Sequence, residues 1–133
     1  MDVATIHRWL SEESYWAAGR SRELVAKSIE GSVTLGCFSP TGVQVGITRL
    51  VTDAATIGVL TDVFVDRPHR GLGLGQFLVG TAMSLPRAGA LKRVLLATDD
   101  AHELYSRFGF SLMSHPERWM EEVLPSEDFG TLS

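Results

Sequence analysis

Three stretches near the middle of the chain are rich in β-branched and apolar residues: "VTLGCF" at 33–38, "VQVGITRLV" at 43–51 and "IGVLTDVFV" at 57–65. "SPTG" separates the first two, and its Pro and Gly suit a tight turn, so residues 33–51 read as an antiparallel hairpin. With the third run, after "TDAAT", they make a meander. A helical stripe follows: Leu74, Phe77, Leu78, Thr81, Ala82 and Leu85 recur at helix spacing, with Pro86 expected to stop it. "RVLLAT" at 93–98 is apolar without a break and reads as a short strand buried on both faces. Strand, helix and strand in this order imply a right-handed parallel crossover.

The ends carry weaker patterns. Residues 3–9 read as an edge strand, followed by helical stretches at 13–18 and 21–30, the second with Leu24, Val25 and Ile29 on one face. After residue 98, Asp100 suits a helix N-cap with Glu103 as its capping-box partner, Ala101, Leu104, Tyr105 and Phe108 share a face, and Gly109 is a natural stop. "FSLM" and "RWMEEVL" read as two closing strands. The predicted class is mixed α/β, with an antiparallel start, one parallel crossover and a β finish.

Length and composition narrow the function. At 133 residues and 44% hydrophobic, the chain suits one domain over 1–133, with "SEDFGTLS" at 126–133 as a loose tail. Cys37 has no partner for an internal disulfide. The first thirty residues hold Asp2, His7, Arg8, Glu12 and Glu13 and no long apolar run, so neither a signal peptide nor a membrane span is expected and a cytoplasmic location is. The formal charge of −4 comes from Glu121, Glu122, Glu127 and Asp128, because residues 1–120 hold 12 acids and 12 bases. A neutral body with no basic stripe argues against nucleic-acid binding. Four scattered histidines and one cysteine show no zinc spacing, so no metal is expected.

"RPHRGLGLGQFLV" at 67–79 sets three glycines at alternate positions between a strand and a helix. Each costs roughly 1 kcal/mol against alanine within regular structure, so something must need bare backbone there. Backbone N–H groups converging at a helix N-terminus hold phosphate oxygens. The nucleotide-hydrolase loop GxxxxGK[ST] is absent, and the dinucleotide pattern GxGxxG fails on spacing. Close helix-to-strand packing is the structural alternative.

The remaining pattern, Arg70-Gly71-Leu72-Gly73-Leu74-Gly75, fits [RQ]xxGx[GA] and resembles the pyrophosphate loop of the GNAT-type N-acetyltransferases. "DAHELYSRFGF" resembles the same family's second signature, a short helix carrying LYxxxGF, and the likeness covers roughly residues 33–113. It implies a mostly antiparallel mixed sheet with a central parallel pair flanked by helices. It also implies transfer of acetyl from acetyl-CoA to a primary amine of a small molecule, by direct attack in a ternary complex. A protein lysine or N-terminal acetyltransferase, or a non-catalytic acyl-CoA-binding module, are the alternatives, and a homodimer is compatible with either.

Carried over residue by residue, the resemblance implies that the backbone of Val63, Phe64 and Val65 lies along the pantetheine arm. An N–H there, that of Val65, would face the thioester oxygen. The N–H groups of Gly71, Leu72, Gly73, Leu74, Gly75 and Gln76 would take the diphosphate, with Arg70 opening the loop. Tyr105 is the implied acid for the coenzyme thiolate, with a core tyrosine as the structural alternative. Thr98 stands where many relatives carry a coenzyme-contacting Asn. Asp62 interrupts an apolar strand, on the face shared with Leu60 and Phe64, and is the candidate base, with His69 and His102 as weaker choices and a plain strand carboxylate as the alternative. Tyr15, Trp16, Arg20 and Arg22 would shape the acceptor mouth, although ordinary packing explains the aromatics equally well.

Overall fold

The computed structural model describes residues 1–89 and 91–125, the side chains of 86–89 excepted. The expected tail at 126–133 lies outside the described residues. The chain opens with helix α1 (Val3–Arg8), not an edge strand. Asp2 caps it, one carboxylate oxygen accepting the Thr5 N–H at 3.1 Å. Ile6, Trp9 and Leu10, all buried, follow helical spacing, and this outweighs the local β-branched residues. A π turn, Trp9–Glu13, extends α1 and ends it, so 13–18 is not the expected helix. Helix α2 (Arg22–Glu30) starts where expected, with the Ser21 hydroxyl accepting the Leu24 N–H at 3.1 Å.

The meander forms as read: β1 (Val33–Phe38), β2 (Gln44–Thr52) and β3 (Ile57–Val65) pair antiparallel. Helix α3 (Leu74–Gly89) then crosses to β4 (Arg93–Leu95), which pairs parallel with Ile57–Val59, giving a four-stranded sheet in the order β1-β2-β3-β4. Short helix α4 (His102–Ser106) follows β4.

Several expectations are corrected. α3 runs on past Pro86, and it buries Leu78, Val79 and Ala82 while Phe77, Thr81 and Leu85 face outward, so the core stripe is rotated from the expected one. β4 is three residues long and only half-buried, because nothing among the described residues pairs with its outer edge. Ala101, not Asp100, caps α4, and the Thr98 hydroxyl accepts the Ala101 N–H at 3.1 Å instead of a capping box forming. Gly109, at φ 92°, does end that helix. "FSLM" and "RWMEEVL" are not strands, since residues 111–125 are exposed and unpaired apart from one short 3-10 turn, Pro116–Arg118.

Two apolar layers cover the sheet. Ile6, Trp9, Leu10, Ala17 and Val25 pack on Ile47 and Phe64 from one side, and Val79 and Ala82 of α3 pack on Leu60 from the other. Leu60 and Phe64 sit four residues apart yet on opposite faces, because the β2/β3 register shifts between Ile47 and Arg49. An extra residue in one strand reverses its alternation. Asp62 lies in this bulge at φ 54°, and it therefore does not share a face with both neighbours as expected.

Candidate active site

β3 and β4 pair only through their first residues, and beyond Val59 and Leu95 they diverge. A cleft of about 400 Å³ opens between them, walled by Val59–Val63 on one strand, by 97–101 after the other, and by Leu104 and Tyr105 of α4. Tyr15, Trp16 and Arg20 from the N-terminal segment complete it. The Tyr15 hydroxyl accepts the Asp99 N–H at 2.9 Å and bridges the two sides.

The backbone facing this opening follows from one hydrogen bond. Asp66 donates its N–H to the Val45 carbonyl at 2.8 Å, toward β2. Successive strand residues alternate direction, so Val65 and Val63 turn theirs toward the splayed side, whereas Phe64 turns to its partner Ile47. Of the three residues assigned to the pantetheine arm, Phe64 is thus corrected: its backbone serves the sheet, and its ring stacks on Trp9 at 5.4 Å.

The glycine loop follows β3 through a 3-10 turn, Arg67–His69. Gly71 and Gly73 both sit at φ 82°, a conformation that L side chains rarely adopt. A methyl built on either would meet no heavy atom within 4 Å. Backbone conformation, not tight packing, demands glycine here, and this disposes of the close-packing alternative for these two positions. The Phe77 N–H bonds the Gly73 carbonyl at 3.0 Å, so α3 begins at the loop. The N–H groups of Leu74, Gly75 and Gln76 form its first turn, which has no intrahelical acceptors. Arg70 braces the loop: its Nε donates to the Val65 carbonyl at 2.8 Å and its guanidinium lies 5.1 Å from the Phe64 ring centre.

Asp62 is built into a tie between β3 and the N-terminal helices. One carboxylate oxygen accepts Trp16 Nε1 at 2.8 Å, and the other accepts Arg49 Nε at 2.8 Å and Arg20 Nη1 at 3.0 Å. Arg49 also donates to the Ser28 carbonyl and to Ser32 Oγ on the α2 side. At 3% exposure and with three donors on its two oxygens, Asp62 is largely committed to this tie although it forms part of the cleft wall. The carboxylate holds Trp16 and Arg20 in place at the cleft, an arrangement that the expectation of a base did not include. The sequence signal was available in those partners, which had been assigned to the acceptor mouth on their own.

Tyr105 is half-buried, edge-on to Phe110 with ring centres 6.0 Å apart. Burial raises its phenol above the ordinary value of 10.0, and Tyr15 and Asp100 add to the rise. Thr98 reaches both the cleft and the α4 turn. His69 and His102 do not line the cleft, and Arg22 stays exposed at the start of α2. Asp99 and Asp100, exposed carboxylates at its edge, were missed as cleft residues because a capping role accounted for Asp100 by itself.

A sheet that splays beside a glycine loop at a helix N-terminus, with a tyrosine across the opening, defines a class of acyl-transfer fold. The model of the Acetyltransferase (GNAT) family matches residues 3–110, and the chain belongs to that family. A Xanthomonas campestris pv. campestris protein assigned to it superimposes with a TM-score of 0.90 at 39% identity, over 98% of this chain and 91% of that one. A Mycobacterium tuberculosis protein solved in complex with CoA shares the fold, with a TM-score of 0.69 at 24% identity over 85% of this chain and 68% of that one. A Gibberella zeae relative named as an acetyltransferase is 37% identical over 65 residues, which span 48% of this chain and 37% of that protein. No helix among the described residues is long and apolar enough to cross a membrane.

Proposed function

We propose that the protein transfers an acetyl group from acetyl-CoA to the primary amine of a small molecule, in a ternary complex formed in the β3/β4 cleft. The observation that carries this reading is the grouping of three features at the splayed end of β3: the Val63 and Val65 N–H groups turned away from β2, the left-handed glycines that follow the strand, and Tyr105 on the cleft wall. The donor set suits the coenzyme. N–H groups of Gly71 to Gln76 at the start of a 16-residue helix favour a diphosphate, and the strand edge at Val63 with the N–H of Val65, whose carbonyl Arg70 holds, suits an extended amide-bearing arm. When bound, the coenzyme supplies an acetyl group activated as a thioester.

The residues of the chain supply position and protons. Val65 N–H is a fixed dipole for charge developing on a carbonyl oxygen. Tyr105 Oη stays protonated through neutral pH and delivers a proton to a departing thiolate. With Asp62 committed to its tie, water in the cleft beside Asp99 and Asp100 takes the proton of the attacking amine. Two features favour a small acceptor over a protein segment: the Tyr15 to Asp99 bridge spans the cleft, and its volume lies within the small-molecule range.

Release of free CoA thiol from acetyl-CoA, measured across a panel of small amines and lysine peptides, tests this reading. Turnover with small amines and none with peptides is expected. Coenzyme binding without thiol release on any acceptor would favour the non-catalytic module instead.

A further inference from the structure

Two guanidiniums share one carboxylate beside the cleft. Arg49 Nε and Arg20 Nη1 donate to the same oxygen of Asp62, at 2.8 and 3.0 Å, with Asp62 and Arg49 buried and Arg20 nearly so. Among the described residues, no other acid lies within ion-pair distance of either arginine. The tie therefore holds one positive charge without a counter-charge. Taking such a charge out of water is costly until a partner is supplied.

The surplus falls to Arg20. Arg49 spends its remaining bonds on the Ser28 carbonyl and Ser32 Oγ, on the α2 side, whereas Arg20 lines the cleft. Only Nη1 of Arg20 is engaged, and its Nε and Nη2 make no hydrogen bond among the described residues. Those two N–H groups are the parallel pair that takes a carboxylate bidentately. The backbone beneath them is pinned: the Arg20 N–H bonds the Ala17 carbonyl at 3.1 Å, and the Arg20 carbonyl hydrogen-bonds His7 Nε2 at 3.0 Å. Across the cleft the sign reverses. Asp99 and Asp100 line it from the segment after β4, exposed and without an ion pair to Arg20.

We propose that the acceptor is an amino acid or another small amino-carboxylate, whose carboxylate Arg20 holds through Nε and Nη2 while its amine faces Asp99 and Asp100. The amine's part rests on the acetyl-transfer reading; the anion fork does not. One carboxylate cancels the one surplus charge. A phosphate, with roughly two charges, would overshoot it in a cleft that already holds Asp99 and Asp100. Val59, Val63 and Leu104 in the lining leave room for an apolar side chain.

The test compares leucine, phenylalanine, methionine and threonine, each beside its own amide, its decarboxylated amine and its aminophosphonate analogue. Thiol release should favour the amino acid over its amide and amine by at least about tenfold in kcat/KM, the scale of a charged bidentate contact. Arg20→Gln should abolish that preference, with the loss carried by KM. It should still fold, because Asp62 keeps Arg49 as its partner. Arg20→Lys should recover part of the preference, restoring the charge without the fork. Amides or amines used as well as amino acids overturn the proposal. So does a better aminophosphonate, and so does an Arg20→Gln variant that retains the preference. If no acceptor releases thiol, the acetyl-transfer reading fails, and calorimetry of the same amino acids and amides on CoA-saturated protein decides the fork: tighter binding of the amino acid upholds it, and equal or absent binding overturns it. Should Arg20→Gln not fold, the comparison on the unaltered protein and on Arg20→Lys still decides.

Discussion

Asp62→Asn separates a structural carboxylate from a catalytic one. Asparagine keeps the volume and tolerates the left-handed backbone at φ 54°, so the bulge itself is preserved. It removes the charge facing Arg49 and Arg20, whose side chains are only 9% and 13% exposed. Removing one partner of a buried ion pair costs about 3–5 kcal/mol. Arg49 keeps the Ser28 carbonyl and Ser32 Oγ, and Arg20 lies close enough to the surface to reach water, so the lower end, about 3 kcal/mol, applies here. For a chain of this length that is a fall in Tm of roughly 10–15 °C. Thermal and urea unfolding measure it. In a cycle with Arg49→Met, the double variant should be more stable than the sum of the single losses by about 1–3 kcal/mol. Below its melting range, the Asn variant should keep turnover within about tenfold, parallel to the unaltered protein at every pH. An unchanged Tm with a deep loss of turnover that narrows as pH rises would refute this account and return Asp62 to the role of base.

Tyr105→Phe should preserve packing on Phe110 and coenzyme binding while lowering turnover about 10²-fold, read by single-turnover kinetics. Because burial raises the phenol, turnover that depends on it should hold to above pH 10 and fall beyond, and the linked stability should likewise be complete below the unfolded value near 10 and lost as pH rises through the folded one. Gly73→Val should weaken CoA binding at least about tenfold in calorimetry with little change in fold, since open space surrounds the position and only its φ of 82° opposes the side chain. Ala54→Gly, in the exposed β2/β3 turn at φ 62°, should raise stability by about 0.5 kcal/mol, seen as a slightly higher denaturation midpoint.

The sequence by itself determined the sheet's meander, the crossover and the glycine loop. Each of these rests on local chemistry: β-branched runs with a turn between them, apolar residues recurring at helix spacing, and backbone angles open only to glycine at Gly71 and Gly73. It also located Tyr105, Trp16 and Arg20 at the cleft, through motif spacing and family resemblance. Where the local signals conflicted, the reading failed, as when β-branched residues masked the helical spacing of Ile6, Trp9 and Leu10. Tertiary structure alone decided two further matters. One is the fate of Asp62: a register shift between β2 and β3 turned it away from the phase that its own strand predicts and gave it to three donors, two from the N-terminal segment and one from β2. The other is the end of the chain, where "FSLM" and "RWMEEVL" carry strand-forming residues yet stay unpaired. A strand exists only with a neighbour to bond, and no property of a segment read alone can say whether that neighbour is present or to which chain it belongs.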